Sequence, residues 1–315
     1  DDGWGDDNND DNKDADDGWD DGDAGEDEII DDDTSWKVRR AAVKMLNSFI
    51  KTHKQQINEY QKQLCNSLLK CFREHDVNVK LEIFKTFREL LLATIVLEAG
   101  SGNIHSHESN LFEAPPLLRQ VSEFELMASE LPNIMKAIVK QFKNDKNNSK
   151  RNNILIKNGL LSILMDLVLV RQAERSERCQ TLTTDGLKEY FNDIIPEIVK
   201  CCNNNDIQLK TKGLYLIYIL LKKHSTNDAC LILNDIQKVI IDSVTNNYSR
   251  VKTQGMIIIT RICECIRPLN NDANLIYDNK FDNNIKELFS IAFKQLSLRD
   301  VEGEVKKAAL TSTSS

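Results

Sequence analysis

The chain has 315 residues, 41% of them apolar, with only 12 glycines and 5 prolines, which suits a helical protein with a continuous core. Its net charge is −8, but residues 1–33 hold 18 acidic residues and one basic residue. The rest of the chain holds 40 basic and 31 acidic residues, a net charge of +9, which excludes a uniformly acidic protein. Eight cysteines without a C-x-x-C pair, and no signal peptide, argue against a disulfide framework and indicate a reducing compartment.

Residues 1–33 form an acidic low-complexity segment in which Asp1-Asp2-Gly3-Trp4 recurs as Asp16-Asp17-Gly18-Trp19. Ordering a residue costs about 1–2 kcal/mol of backbone entropy, and so few apolar side chains cannot offset that cost. We therefore expect this segment to be disordered. It is interpreted either as a solvated linker or inserted loop, or as an acidic interaction element whose tryptophans contact a partner or the basic body of the chain.

Residues 34–315 repeat one design, in which a polar break is followed by an apolar-periodic helix, a tight break and a second helix. Each second helix opens on a similar dipeptide, and the spacings from Val38 to Val79 and from Leu209 to Val251 are each about that of a HEAT or armadillo hairpin. Asp33 or Thr34 is expected to cap the helix that contains the first opening. The openings are Val38-Arg39, Val79-Lys80, Leu209-Lys210, Val251-Lys252 and Val305-Lys306.

The apolar periodicity predicts an all-α HEAT-repeat superhelical solenoid of five to six stacked antiparallel helix pairs, right-handed and without strands. An inserted loop is expected around residues 99–116, and both ends of the chain suggest a fragment that is truncated within the array. One apolar face is predicted for the first helix, formed by Trp36, Val38, Ala41, Ala42, Met45, Leu46 and Phe49. The pairs are predicted at 56–72 with 77–97, 131–142 with 150–170, 187–202 with 206–223, and 229–245 with 249–266, followed by a first helix at 283–296.

The sequence contains no phosphate-binding glycine loop, nucleophile elbow or H-E-x-x-H motif, so no catalytic residue, cofactor or metal is predicted and the chain is expected not to be an enzyme. His105-Ser106-His107 is interpreted as part of a flexible loop, and Cys263 and Cys265 as core residues. No nucleic-acid, membrane or small-molecule partner is expected, because the basic excess is diffuse and the longest apolar stretch, Leu214–Leu221, is too short to span a bilayer.

We predict two roles for the basic residues on the second helices. Those at the openings are expected to pair with acids of a neighbouring repeat, with Asp76, Asp206 and Asp300 as candidates. Those further along lie off the apolar stripe and are predicted to form one exposed face that contacts acidic patches of a protein partner. The residues of this predicted face are Lys44, Lys51, Lys85, Arg88, Lys212 and Lys222.

The run from Asp31 to Ala42, DDDTSWKVRRAA, resembles the cullin-associated, neddylation-dissociated proteins, in which an acidic insertion leads into a nearly identical helix. The resemblance continues at Leu131–Ala137, Ile266–Leu269 and Glu304–Ala308, in the same order and at similar spacing, and covers about residues 26–310. The Trp-bearing acidic repeat, the 99–116 loop and the Asn-rich breaks depart from the family pattern.

The resemblance implies a HEAT superhelix that wraps a cullin bound to its RING subunit. Such a protein would bind the cullin that lacks its ubiquitin-like modifier, cover the modification site, block neddylation and promote exchange of substrate-receptor adaptors on SCF-type ubiquitin ligases. A cytoplasmic and nuclear location is expected. The alternative is a nuclear-transport receptor of the importin-β type, because those HEAT proteins also carry an acidic loop before a helix similar to Trp36–Ala42.

Overall fold

The computed structural model describes residues 34–93, 121–144, 149–178, 187–223, 226–266, 282–297 and 303–314. The predicted acidic segment 1–33 and the predicted loop around 99–116 lie outside these residues, as do His105-Ser106-His107 and Asp300. The chain divides into two units, Asp1–Thr34 and Ser35–Ser315, and the second holds all of the described helices. Every regular element within the described part of this unit is helical, and the predicted all-α repeat architecture is confirmed.

The helices are numbered in chain order. A 3-10 turn, Lys188–Tyr190, leads into α6. The α-helices are α1 (Ser35–Thr52), α2 (Lys54–Cys71), α3 (Val77–Ala93), α4 (Val121–Lys143), α5 (Lys150–Arg178), α6 (Phe191–Cys202), α7 (Ile207–Lys223), α8 (Thr226–Val244), α9 (Ser249–Ile266), α10 (Asp282–Ser297) and α11 (Gly303–Ser314).

These helices pack in two layers. Each odd-numbered helix contacts the next odd-numbered helix, from α1 to α11, and each even-numbered helix contacts the next even-numbered helix, from α2 to α10. Hairpins join the layers as α2/α3, α4/α5, α6/α7, α8/α9 and α10/α11. A continuous apolar core runs between the layers through all five hairpins, because each helix buries its apolar stripe against its partner and against neighbouring repeats.

The tight breaks within the hairpins owe their shape to acidic and asparagine side chains. Asp76 caps α3 by accepting a hydrogen bond from the backbone N–H of Val79 at 2.9 Å, and Asp206 caps α7 by accepting from that of Leu209 at 2.7 Å. Asn204 accepts from the N–H of Asp206 at 2.9 Å in the same turn. The expected ion pairs of Asp76 and Asp206 with opening residues are therefore wrong, since each carboxylate is turned onto the first free N–H groups of its own helix.

The ion pair expected at the first opening does form, with a different acid. Arg39 donates through Nε to Glu74 at 3.0 Å, from α1 to the turn before α3. At the second opening, Lys80 is buried and its Nζ lies 3.4 Å from the side-chain oxygen of Gln141 on α4. Burial lowers the pKa of Lys80, and the Glu74 carboxylate opposes that effect. The opening residues thus join neighbouring elements, although not through one repeated pairing.

Two glycines set the closest approach of hairpin partners. A Cβ at Gly213 of α7 would lie 2.7 Å from Cys202 Sγ of α6, and one at Gly255 of α9 would lie 2.9 Å from Val244 Cγ2 of α8. Both glycines follow a second-helix opening by four residues, at Leu209 and Val251 respectively. The same position on successive repeats therefore faces the first helix of its own hairpin.

Most predicted helix boundaries agree with the structure within three residues, and α9 agrees at both ends. The largest differences are at α4, which begins at Val121 rather than at 131, and at α5, which extends to Arg178 rather than 170. Two others are of four residues, since α3 is described to Ala93 rather than 97 and α6 begins at Phe191 rather than 187. The predicted helix began at Leu131, directly before Pro132. The structure places Pro132, and likewise Pro196 of α6, inside the helix at exposed positions.

The first helix carries apolar residues on two faces rather than on the single predicted face. Trp36, Val43, Leu46 and Ile50 pack on the core. Val38, Met45 and Phe49, with Ala41 and Ala42 between them, point to the opposite side and are exposed. The prediction merged both sets because apolar residues three or four apart occur around most of this helix.

A longer apolar segment, interrupted by a few polar residues, lies in α5 in addition to the Leu214–Leu221 stretch of α7. Lys150–Val170 is long and apolar enough to cross a membrane, with a mean hydropathy of 1.7, but 56% of its best window is buried within the array. A core helix meets the same criterion, and α5 contacts α3, α4 and α7. Its apolar character is thus accounted for by burial against three helices.

Buried hydroxyl groups join odd-numbered helices at both ends of the described array. Thr86 of α3 lies 3.4 Å from both the Val43 carbonyl and the Asn47 side-chain amide of α1. Ser312 of α11 donates to the Met256 carbonyl of α9 at 2.9 Å and lies 2.8 Å from the Thr260 hydroxyl. Thr86 and Ser312 each follow their opening by seven residues, so the two ends use equivalent positions.

Candidate protein-binding face

The odd-numbered helices leave a band of basic and aromatic side chains exposed or half-buried. We call this band the odd-helix face. It is formed by Lys85 and Arg88 of α3, Lys212, Tyr215, Tyr218 and Lys222 of α7, and Arg261 of α9.

Four of the six basic residues predicted for partner contact occur on the odd-helix face, and the other two lie on α1. Lys44 is exposed on α1. Lys51, at the end of α1, pairs with Glu89 of α3 at 3.3 Å. Lys85 pairs with Glu82, one turn earlier on the same helix, at 3.6 Å. Exposed pairs of this kind contribute little to stability, so both lysines stay available to a partner.

Arg88 and Lys212, two of the predicted residues, are brought together by an aspartate that the sequence did not single out. Arg88 donates through Nε to Asp166 Oδ2 at 2.5 Å and through Nη2 to Oδ1 at 3.4 Å, from α3 to α5. Lys212 of α7 donates through Nζ to the Asn158 carbonyl of α5 at 2.8 Å. The side chain of Asp166 is only 7% exposed. Three successive odd-numbered helices thus meet in one charged cluster, which we call the Arg88–Asp166–Lys212 cluster.

Burial governs the protonation of this cluster. Burial lowers the pKa of Lys212 to about 8, and the Arg88 guanidinium adds to the effect, while Asp166 opposes it. Burial also raises the pKa of Asp166, and its contacts with Arg88 and Lys212 only partly offset that rise. Lys212 was predicted to be exposed, which is wrong, because the residue is half-buried. With both cations protonated and Asp166 ionised, the cluster carries a net charge of +1.

Two tyrosines next to this cluster were not predicted as functional residues. Tyr215 and Tyr218 stack with ring centroids 6.1 Å apart, and the Nζ atom of Lys222 lies 5.8 Å from the Tyr218 centroid. With Lys212 they follow one another at helical spacing along one side of α7. Both tyrosines lie within the apolar Leu214–Leu221 stretch. Side chains with a polar tip recur every three or four residues along α7, from Lys212 to Lys222. This spacing was the signal that one side of the helix is not covered by its neighbours.

Arg261 of α9 closes the face on the other side of α7. Its Nε donates to the Leu221 carbonyl at 3.3 Å, and its Nη1 donates to Glu264 at 2.9 Å. The guanidinium therefore covers the carbonyl end of α7, where positive charge is favourable.

The remaining polar chemistry of the described ranges offers no metal centre. No group of three His, Cys, Asp or Glu side chains in those ranges is placed to hold a metal ion. The described cysteines, at 65, 71, 201, 202, 263 and 265, form no disulfide with one another. Burial raises the pKa of the Cys65 thiol to about 12, which disfavours the reactive thiolate.

The two-layer stack of hairpins defines a helical repeat protein of the armadillo or HEAT type. A designed armadillo repeat protein solved with the peptide (KR)4 superposes with a TM-score of 0.54 over 87% of this chain and 91% of that chain, at 11% identity. A second designed armadillo repeat protein gives a TM-score of 0.52 over 87% of this chain and 92% of that chain, at 10% identity. At these identities the likeness concerns the fold alone.

Sequence comparison then identifies the relatives within that class. The family model described as "CAND1-like, TPR repeats" matches residues 185–313, which hold α6 to α11. The chain is 26% identical to Cullin-associated NEDD8-dissociated protein 1 of Drosophila melanogaster and 24% identical to the protein of that name in Arabidopsis thaliana. Each match covers 89% of this chain and 20% of the relative. The chain therefore spans about a fifth of the length of these relatives, and the resemblance predicted from its motifs is confirmed.

Proposed function

We propose that this chain is a binding scaffold of the ubiquitin pathway that contacts a cullin and its RING subunit. In this proposal it takes part in wrapping the cullin that lacks its ubiquitin-like modifier, blocks neddylation and promotes exchange of substrate-receptor adaptors. The observation that carries the proposal is the similarity, over 89% of the chain, to proteins whose name states an association with cullins and dissociation of NEDD8. A cytoplasmic and nuclear location, and a role without catalysis, belong to the same proposal.

The fold supports a binding role through its surface. Stacked hairpins bury their apolar stripes against one another, so their remaining side chains form long faces along the helix layers. The odd-helix face carries basic residues from three helices, which suits a partner with acidic patches. Since the chain spans about a fifth of its relatives, we propose that it supplies a part of the cullin contact rather than the whole of it.

The direct test is a pull-down with the 315-residue chain immobilised. Unmodified cullin–RING complex, the same complex carrying the ubiquitin-like modifier, and Ran-GTP are offered separately. We expect retention of the unmodified complex, weaker retention of the modified complex and no retention of Ran-GTP. Retention of Ran-GTP without the cullin complex would favour the importin-β alternative instead. Equal retention of both cullin forms would contradict the proposed selectivity for the unmodified form.

A further inference from the structure

We propose that the α7 part of the odd-helix face, together with Arg88, binds an extended acidic segment of a protein partner. In this arrangement a carboxylate of the segment lies between Arg88 and Lys212, and an apolar side chain lies on the tyrosine pair Tyr215 and Tyr218. The inference deepens the proposed function, because it names the surface and the kind of segment through which such a partner would bind.

The Arg88–Asp166–Lys212 cluster carries an unbalanced positive charge. Arg88 pairs with the buried Asp166 carboxylate, whereas the ammonium group of Lys212 donates to the Asn158 carbonyl, so one of the two cations at this half-buried position has no carboxylate of its own within the cluster. Such a charge is poorly solvated, as the lowered pKa of Lys212 reflects. An incoming carboxylate would supply the missing counter-charge and displace little water, which makes this position more favourable than an equally charged but fully exposed lysine.

The side chains along α7 continue this surface beyond the cluster. From the cluster, Tyr215 and Tyr218 lead to Lys222, which is exposed and lies over the Tyr218 ring at 5.8 Å. Aromatic side chains with a polar tip contribute strongly to protein interfaces, because they bury a large area and lose little conformational freedom. The stripe thus alternates cation, aromatic pair and cation, which complements a segment that alternates acidic and apolar residues.

The charge pattern of this face favours a protein partner over a nucleic acid. A phosphate backbone is bound by many cations that can each approach a phosphate. On this face, Asp166 lies beside Arg88, Glu264 beside Arg261, and Glu82 beside Lys85. These carboxylates interrupt the row of cations that successive phosphates would need, and an apolar platform lies at the centre of the face. That balance favours an acidic protein segment, and an RNA is kept as an alternative outcome of the test.

The test measures binding of the full 315-residue chain to labelled probes by fluorescence anisotropy. The probes are a short peptide of glutamate, leucine and serine, the same peptide with lysine for glutamate, and single-stranded oligouridine. We expect the acidic peptide to bind, the basic peptide not to bind, and the double variant K212M/K222M to weaken acidic-peptide binding by about tenfold or more. The control K238M/K294M removes the same charge from exposed positions on α8 and α10 and should bind like the parent chain.

Several outcomes would overturn the inference. The inference fails if the acidic peptide does not bind, or if oligouridine binds more tightly than the acidic peptide. It also fails if the control K238M/K294M loses as much affinity for the acidic peptide as K212M/K222M does. Lys222→Met alone guards against misfolding of the double variant, because Lys222 is exposed, and it should still weaken binding measurably. The pull-down distinguishes the two proposals. If the K212M/K222M variant still retains the cullin complex, the proposed function stands and this surface is rejected. If the parent chain binds the acidic peptide but not the cullin complex, this surface stands and the proposed function is rejected.

Discussion

Helices α1 and α7 open in the same way but are buried very differently. Seven residues after its opening at Leu209, α7 places Leu216, which is 1% exposed, whereas α1 places Met45 at the equivalent position, 77% exposed. At the openings themselves, Leu209 is fully buried and Val38 is 70% exposed. The α6 helix covers this side of α7, as the contact of Gly213 with Cys202 shows. The contribution of a residue to stability is therefore decided by which neighbours cover its repeat, and the motif alone does not reveal it.

The largest expected effect tests this difference directly. Leu216→Ala should lower the free energy of unfolding by about 2–5 kcal/mol, because it removes a fully buried side chain and leaves a cavity. Met45→Ala at the equivalent position of α1 should change it by less than about 0.5 kcal/mol. Urea unfolding followed by circular dichroism measures both. Similar losses for the two variants would show that something covers the exposed side of α1 in solution.

The close approach of α6 and α7 provides the next effect. Gly213→Val should destabilise the chain by about 1–3 kcal/mol, since the added Cβ would lie 2.7 Å from Cys202 Sγ and backbone atoms of α6 lie just beyond. Ala42→Val, four residues after the α1 opening, is the matched control and should be nearly neutral because Ala42 is exposed. Thermal melting of the two variants against the parent chain checks the pair, and an undisturbed melting temperature for Gly213→Val would contradict the tight contact.

The cap of α7 should contribute less. Asp206→Ala removes the acceptor for the Leu209 N–H, at a cost of about 0.5–2 kcal/mol. Asn205→Ala, an exposed neighbour in the same turn, serves as the control and should leave stability unchanged. Hydrogen exchange of the first turn of α7 gives a local measurement. Faster exchange is expected there in Asp206→Ala alone, and equal protection in both variants would reject the capping role.

The smallest expected effect is a pH dependence at the Arg88–Asp166–Lys212 cluster. Because the pKa of Lys212 is lowered to about 8 in the folded chain, the unfolded chain binds more protons above that pH. Stability should therefore rise as the pH increases from about 8 toward the unfolded lysine pKa, by on the order of 1 kcal/mol after allowing for solvent screening. Lys212→Met should abolish this part of the slope, while other titrating groups such as Lys80 act equally in both proteins. Identical slopes in the parent chain and in Lys212→Met would contradict the lowered pKa.

The fold could be predicted from the sequence because its signals are local. Asp206 and Asn204 mark a turn and a cap within a few residues, and the boundary of α7 follows from them. The candidate site was predicted only in part, because it depends on the packing register of distant segments. Arg88 and Asp166 are 78 residues apart in sequence, so their pairing requires knowledge of how α3 and α5 align. Tyr215 and Tyr218 were missed because the other residues of their run, Leu214–Leu221, are buried.

The buried hydroxyl contacts at the two ends of the array bear on how its repeats can be rearranged. Thr86 meets Asn47 and a carbonyl of α1, and Ser312 meets Thr260 and a carbonyl of α9, whereas α7 has Leu216 at the equivalent position. Sliding α3 along α1 by one turn, about 5.4 Å, would leave the Asn47 amide buried without an acceptor, at a cost of about 1–3 kcal/mol. Exchanging an end repeat with a central one would create the same mismatch. The buried hydroxyl contacts therefore specify which repeats can be neighbours. The order of these repeats cannot be permuted as freely as that of a designed array of identical repeats.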